Sequence, residues 1–319
     1  MSVLIIGGGG MIGQKLATAL SNDGTAATLF DVGFPPDGAP ATERMTGNLS
    51  DPGEAARLAG LRADVIYHLA AIVSGESEQN FDLGWQVNMM GTWHLLEALR
   101  AEHLASGGSY RPRVVFASSI AVFGAPFPDK IHDTFLCAPQ TSYGAQKACS
   151  ELMVGDFSRK GFIDGIALRL PTICVRPGKP NKAASGFFSG IIREPLNGVE
   201  AVLPVPDSVR HWHASPRSAV GFLRHASTLD TDRLEGRRAL SLPGVSCTVA
   251  EQIEALRAVA GQDAVDLIRP EPDPDISKIV AGWPRDFAPE RAVELGFQAE
   301  ASFQKIVETY LADDFRKLE

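Results

Sequence analysis

Apolar and polar residues alternate along this chain in two different periods. An apolar run at Val3–Ile6 and largely apolar segments at 27–30, 64–69, 113–117 and 165–170 read as strands buried in a parallel sheet. Between them, apolar residues recur at steps of three and four. Ile12, Leu16 and Leu20 make one such stripe, and Leu83, Val87, Met90, Leu95, Leu96 and Leu99 make another across residues 81–102. A further helix is predicted to start near Thr141 and Ser142. Strand and helix in alternation over this length predict an α/β fold on a doubly wound parallel sheet. Later in the chain, residues 249–259 read as a helix behind a Thr248 cap, 270–274 as a stiff acidic connector, and 303–311 as a closing amphipathic helix.

The punctuation between the first strand and the first helix changes the picture from fold to chemistry. Gly7, Gly10 and Gly13 stand where a tight turn, a close approach of backbone to a pyrophosphate and a close helix–strand contact would each exclude a side chain. The second strand ends in Asp31, about twenty residues on, where a carboxylate can hold the ribose hydroxyls of an adenosine. It would repel a 2′-phosphate, and no arginine follows in Val32, Gly33 and Phe34. NAD is therefore the expected cofactor, in preference to NADP. Ala70 and Ala71 permit close packing at the carboxyl end of the third strand, where ligands of open parallel sheets lie.

A second constellation supplies reactive groups. Ser118 and Ser119 sit where the fourth strand should end, and Tyr143 and Lys147 share one face of the next helix by their four-residue spacing. A phenol, an ammonium and a hydroxyl are what is needed to take a proton from an alcohol whose hydride leaves for a nicotinamide. A tyrosine with an ordinary pKa of about 10 is a poor base near neutrality, and lowering it by roughly two units requires about 2.7 kcal/mol. Lys147 and an oxidised nicotinamide are the expected cationic sources. Tyr143 is the expected general base.

Composition narrows the alternatives. The chain has 319 residues with 45% apolar content, enough for one large or two modest cores, and a formal charge of −8 without a basic block, which argues against nucleic acid as a partner. No apolar run approaches the roughly 18 residues of a membrane span, and the chain enters a strand at once, so a cytoplasmic location is expected. Cys137, Cys149, Cys174 and Cys247 are scattered and read as free thiols; no metal-ligand set is apparent.

Taken together, Gly7, Gly10, Gly13, Asp31, Asn48, Leu49, His68 to Ala71, Asn88, Ser118, Ser119, Tyr143, Lys147 and residues 169–172 resemble the extended short-chain dehydrogenase/reductases of the NAD-dependent epimerase/dehydratase type, along essentially the whole chain. The resemblance implies a Rossmann domain over residues 1–170. It implies a smaller mixed substrate-binding region over 171–319, with some segments returning to the first domain. It implies that Met11, Ile12, Asn48, Leu49, Leu69, Ala70, Ala71, Asn88, Tyr143, Lys147, Thr172 and Ile173 join the glycines and Asp31 around the cofactor, and that Ser119 is the catalytic hydroxyl with Ser118 beside it. Paired long helices in such proteins imply a homodimer. Two departures stand out: Ile6 where threonine is usual, and Phe123 where tyrosine is commoner.

Within that family, residues 169–192 and 209–216 resemble enzymes that use NAD to oxidise the 2-hydroxyl of a short sugar acid, with D-erythronate the expected substrate. An anionic substrate calls for cations or polar donors. Arg176, Asn181, Lys182, Ser185, Arg210 and His213 are the substrate-side candidates, with Ser118, Ser119 and Tyr143. An NAD-dependent nucleotide-sugar epimerase is the alternative reaction on the same fold. A non-catalytic dinucleotide sensor is a third, against which the retained Tyr143 and Lys147 argue.

Overall fold

The structure is a computed structural model and describes residues 1–178 and 184–315. The chain forms two compact units. The first comprises Met1–Val122, Thr141–Arg169 and Val220–Ser241, and the second Phe123–Gln140, Leu170–Ala219 and the chain from Leu242 onward.

The first unit is built on seven strands: β1 (Val3–Ile6), β2 (Ala27–Asp31), β3 (Glu43–Thr46), β4 (Val65–His68), β5 (Arg113–Ser119), β6 (Asp164–Leu170) and β7 (Ala239–Ser241). They lie in the order β7-β6-β5-β4-β1-β2-β3. Val3 pairs with Ala27 on one side and with Val65 on the other, both in parallel. The order thus reverses beside β1, the switch point at which open sheets of this kind take ligands. The helices of this unit include α1 (Met11–Asn22), α2 (Pro52–Ala59), α3 (Gly91–Ala105) and α4 (Ser142–Arg159). Leu4, Ile6, Phe30, Ile66, Leu95, Leu99, Val114 and Phe116 meet in its core, each nearly or wholly excluded from water.

The second unit has its own core around Phe188, Ile191, Ile192, Leu256, Ile306 and Val307. Its helices include α5 (Gly186–Leu196) and α6 (Val249–Ala260). A three-stranded sheet joins residues 172–173, 210–214 and 245–248. Among the described residues no helix is long and apolar enough to cross a membrane.

Three local features differ from the periodic reading. The stripe across residues 81–102 is not one regular helix: Phe81–Gly84 is α-helical, Trp85–Met90 is π-helical, and α3 follows. The apolar period alone does not register the extra residue of a wide turn. Strand β3 carries one buried side chain, Met45, among exposed ones, so it lacks an apolar run. The segment read as an acidic connector ends in a helix, Pro274–Ala281, because Asp273 accepts bonds from the Asp275 and Ile276 amides and Pro274 occupies the first turn.

One ion-pair network ties β6 to β5 and to the segment leading into β7. Asp164 accepts from Arg113 at 2.6 Å, Arg238 at 2.8 Å and the Thr231 hydroxyl at 2.6 Å, with all three charged side chains no more than 20% exposed. These hydrogen bonds hold the Asp164 carboxyl below its ordinary range against the opposing effect of burial. Asp164→Ala leaves two half-buried guanidiniums without their carboxylate and is expected to destabilise the protein by about 2 kcal/mol in denaturant unfolding. Since the folded carboxyl titrates lower than the unfolded one, its contribution is present above the unfolded pKa and is lost as pH falls through the folded value. The gap between the two proteins should therefore narrow in acid.

Candidate active site

The turn after β1 leaves no room for a side chain at Gly7, Gly8, Gly9 or Gly13, whereas a Cβ on Gly10 would meet only an ordinary contact, 3.5 Å from the Gly7 carbonyl oxygen, contrary to the sequence expectation. Gly7 has φ +88°, and a Cβ there would lie 2.5 Å from the Ala70 amide nitrogen; one on Gly13 would lie 2.3 Å from the Gly7 carbonyl oxygen. Gly10 is the N-cap of α1, with no side-chain cap and no acidic residue in the first turn. The first turn, with Met11 and Ile12 half-buried, therefore keeps free N–H groups and an uncompensated positive end. This open helix start beside a cradle that any Cβ would fill fits a dinucleotide pyrophosphate. Asp31 ends β2 next to it, accepting from the Gly9 amide at 2.9 Å and from the Val32 amide at 2.7 Å.

The other cofactor-side residues are not equally placed to touch a ligand. Leu69, Ala70 and Ala71 follow directly from β4, half-buried and beside Gly7. Asn48 accepts from the Ser50 amide and hydroxyl, while Leu49 is buried in the core near Gly91. The Asn88 side chain is 1% exposed and fully engaged. It accepts from the Ile72 amide at 2.9 Å and donates toward the Ile72 carbonyl, Ser77 Oγ and Gln146 Oε1. This corrects the expectation of a cofactor contact: its amide has no donor left, and its role is to anchor the loop after β4.

At the carboxyl end of β5, the reactive groups come together. Thr141 caps α4 by accepting from the Gly144 amide, which starts the helix so that Tyr143 lies in its first turn and Lys147 one turn on. The Ser119 hydroxyl lies close enough to the Tyr143 phenol to act on its pKa, and it accepts from the Ala121 amide at 3.2 Å. Lys147 is 2% exposed; its Nζ donates to the Ala117 carbonyl at 2.8 Å, 4.7 Å from the Phe116 ring centre. Burial pushes the Tyr143 phenol up to about 12, opposed by the Ser119 hydroxyl. Burial also pushes Lys147 down to about 7, opposed by the charge of Glu151. Without cofactor, burial thus outweighs the neighbouring groups and holds the phenol above its ordinary pKa, with Lys147 Nζ 5.7 Å from the Tyr143 ring centre.

The two serines separate cleanly. Ser119 faces Tyr143, whereas Ser118 is 3% exposed and donates to Glu151 Oε1 at 2.5 Å. The expectation that Ser118 touches substrate is corrected, because adjacent strand residues point to opposite faces of the sheet.

Candidates in the second unit also divide. Thr172 bonds the His211 ring at 2.7 Å, with Ile173 beside it in the same strand. His213 is wholly buried, 2.9 Å from the Gln252 amide nitrogen and packed edge-on against Phe188 and Phe303. Burial pushes its pKa well below the ordinary value. It is a packing residue, which corrects its assignment to substrate. Arg210 pairs with Glu251 at 3.2 Å and lines a cavity of about 390 Å³ with Phe127, Asp129 and Arg285. Arg176 is different. Its half-buried guanidinium donates to Ser185 Oγ at 2.9 Å, and no carboxylate pairs with it among the described residues. Ser185 is itself the N-cap of α5 and makes no capping bond with its side chain. Asn181 and Lys182 lie outside the described residues.

Among the described residues no group of three or more potential metal ligands is present. The residues that sequence reasoning missed are Glu151 and Arg169 as a pair, 2.7 Å apart and nearly buried. Only the four-residue step from Lys147 to Glu151 hinted at the carboxylate.

Comparison with known proteins agrees with this geometry. Residues 3–213 match the model of the NAD-dependent epimerase/dehydratase family. A protein of Cupriavidus necator described as D-erythronate dehydrogenase is 45% identical, over 98% of this chain and 98% of its own. One of Haemophilus influenzae with the same description is 41% identical, over 98% and 100%. A crystal structure described as a nucleoside-diphosphate-sugar epimerase from Agrobacterium tumefaciens superposes with a TM-score of 0.94 at 55% identity, covering 98% of this chain and 94% of that one. With a family match over most of its length and curated relatives covering nearly all of it, this chain belongs to the NAD-dependent epimerase/dehydratase family.

Proposed function

We propose that this protein oxidises the 2-hydroxyl of a short sugar acid with NAD, with D-erythronate as substrate and 2-dehydro-D-erythronate as product. The observation that carries the reading is the grouping of Tyr143, Ser119 and buried Lys147 at the end of β5. It is supported by two relatives of nearly equal length described as D-erythronate dehydrogenases.

In this reading, the turn at Gly7, Gly10 and Gly13 holds the pyrophosphate and Asp31 the adenosine ribose. Bound NAD supplies the acceptor for the hydride that leaves carbon 2. Ser119 Oγ holds the substrate oxygen, and Tyr143 Oη takes the hydroxyl proton as the carbonyl forms. Lys147, fixed by the Ala117 carbonyl, keeps a positive charge beside that proton transfer and has donors left for the nicotinamide ribose. Arg176, with no carboxylate partner among the described residues, takes the substrate carboxylate together with Ser185.

A nucleotide-sugar epimerase is the second reading, favoured by the description of the Agrobacterium structure. A diphosphate would also satisfy Arg176. The two differ in the fate of the reduced cofactor, which an epimerase retains and reoxidises within each cycle.

We further infer a homodimer. Phe81, Trp93 and Leu152, which are 59%, 39% and 76% exposed, are large apolar side chains open to solvent on and beside the two long helices, and a second copy docked on those helices would cover them. The four cysteines are free, which agrees with a reducing, cytoplasmic setting.

Purified protein given NAD and D-erythronate should form reduced nicotinamide continuously. Tyr143→Phe should lower kcat by about 10²- to 10⁴-fold without loss of fold. Turnover absent on any sugar acid, with NAD that resists dialysis, would move the assignment to the epimerase. Because the active phenol is the deprotonated form, kcat/KM for oxidation should rise about tenfold per pH unit while the pH stays below the phenol's pKa in the complex. A flat profile there would remove Tyr143 as the base.

Arg176→Ala should raise KM for the acid by roughly 10- to 100-fold, the worth of a charge-assisted hydrogen bond, with a smaller change in kcat. Steady-state kinetics on D-erythronate would check this. For the dimer, Leu152→Glu should yield a monomer in analytical ultracentrifugation, and an unchanged mass would place the contact elsewhere.

A further inference from the structure

Helix α4 carries three ionisable groups at four-residue steps: Tyr143, Lys147 and Glu151. The third has no part in the proton transfer, yet it is 7% exposed and completely satisfied. Its Oε1 accepts from Ser118 Oγ at 2.5 Å and from Arg169 Nε at 3.0 Å, and its Oε2 accepts from Arg169 Nη2 at 2.7 Å. A buried ion pair is a poor means of stabilising a helix–sheet contact, because apolar residues of similar volume usually serve as well. Its position is more telling. It connects the turn of α4 after Lys147 to Ser118, the direct neighbour of Ser119 on β5.

We propose that Glu151 is a positioning residue for the proton-transfer pair: its carboxylate keeps Lys147 in the ammonium form and, through Ser118, fixes the strand end that carries Ser119. The inference rests on the reading of Tyr143 and Lys147 given above. The groups around Lys147 are Tyr143 and Glu151 on its own helix, the Ala117 carbonyl and Phe116 ring of β5, His68 of β4, and Arg169 of β6, paired to Glu151. His68 is buried and bonded to Thr92, and burial pushes it down to about 3, so it is neutral and adds no competing charge. The single carbonyl bond does not offset the desolvation that lowers Lys147, and Glu151 is the anion that acts against it. An ammonium that lost its proton could neither favour a phenolate nor donate to a ribose oxygen.

The test is a direct titration of Lys147 in the full chain by NMR of ¹³C-labelled lysine side chains, with its signal assigned from its loss in Lys147→Met. In Glu151→Gln the Lys147 midpoint should fall by about one pH unit or more, the usual effect of removing an opposite charge at this range. In Arg169→Gln, which loosens the same contact but leaves the carboxylate, the midpoint should hold or rise. An unchanged midpoint in Glu151→Gln, or an equal fall in both variants, would overturn the proposal and leave the pair a structural tie. Should Glu151→Gln fail to fold, Glu151→Asp, which keeps the charge but draws it back, replaces it: a fall in the Lys147 midpoint supports the proposal and an unchanged midpoint overturns it. Neither NAD nor a sugar acid enters this measurement, so its failure is distinct from failure of the dehydrogenase reading, which Tyr143→Phe kinetics test.

Discussion

The first unit is organised around a cation held out of water. Lys147 is as buried as the apolar core beside it, and burying an unpaired ammonium costs several kcal/mol. That cost is met by directed contacts: the Ala117 carbonyl, the face of Phe116 and the carboxylate one turn further along α4. Each constrains how α4 can lie on the sheet. With Nζ on residue 117 of β5 and Thr141 capping the first turn, Tyr143 has little choice but to reach the next outward side chain of the same strand, Ser119. The satisfaction of a buried charge and the assembly of the reactive pair are therefore one geometric event.

A second tie reaches the same helix from the other side. The π-helical turn at Trp85–Met90 displaces the regular bonding ladder, and the Asn88 carbonyl accepts from the hydroxyls of Thr92 and Ser150 at 2.9 and 3.2 Å. Its side chain meanwhile holds Ile72 and Gln146. One residue thus links the loop after β4 to the middle of α4. The loop beside Gly7 and the helix that carries Tyr143 are therefore tied together, which preorganises them relative to each other.

Legibility in the sequence followed the range of the interaction. Elements defined by local period, such as β1, β4, β5 and α4, were readable, as were the glycines whose turn admits no Cβ. Features decided by partners far along the chain were not. Ser118 and Ser119 look alike until the pleat of β5 sends one to Glu151 and the other to Tyr143. Arg169, eighteen positions from Glu151, has no signature as its partner. His213 offered the chemistry of a ligand contact and was claimed instead by Phe188, Phe303 and Gln252. The extra residue of the π turn left the apolar stripe nearly intact, so its period gave no sign of it.

The two units solve the same electrostatic problem in opposite ways. In the first, these buried charges have a counter-charge or carbonyl supplied by the chain: Asp164 between Arg113 and Arg238, Glu151 against Arg169, and Lys147 on Ala117. In the second, Arg193 is neutralised by Glu194, but Arg176, whose carbonyl Arg193 contacts, has a serine hydroxyl and no carboxylate as partner among the described residues. Burial without a counter-charge lowers the Arg176 pKa and raises the energy of the unliganded state. On the reading proposed above, an anion bound at Arg176 would recover that energy and so couple its occupancy to the stability of the unit.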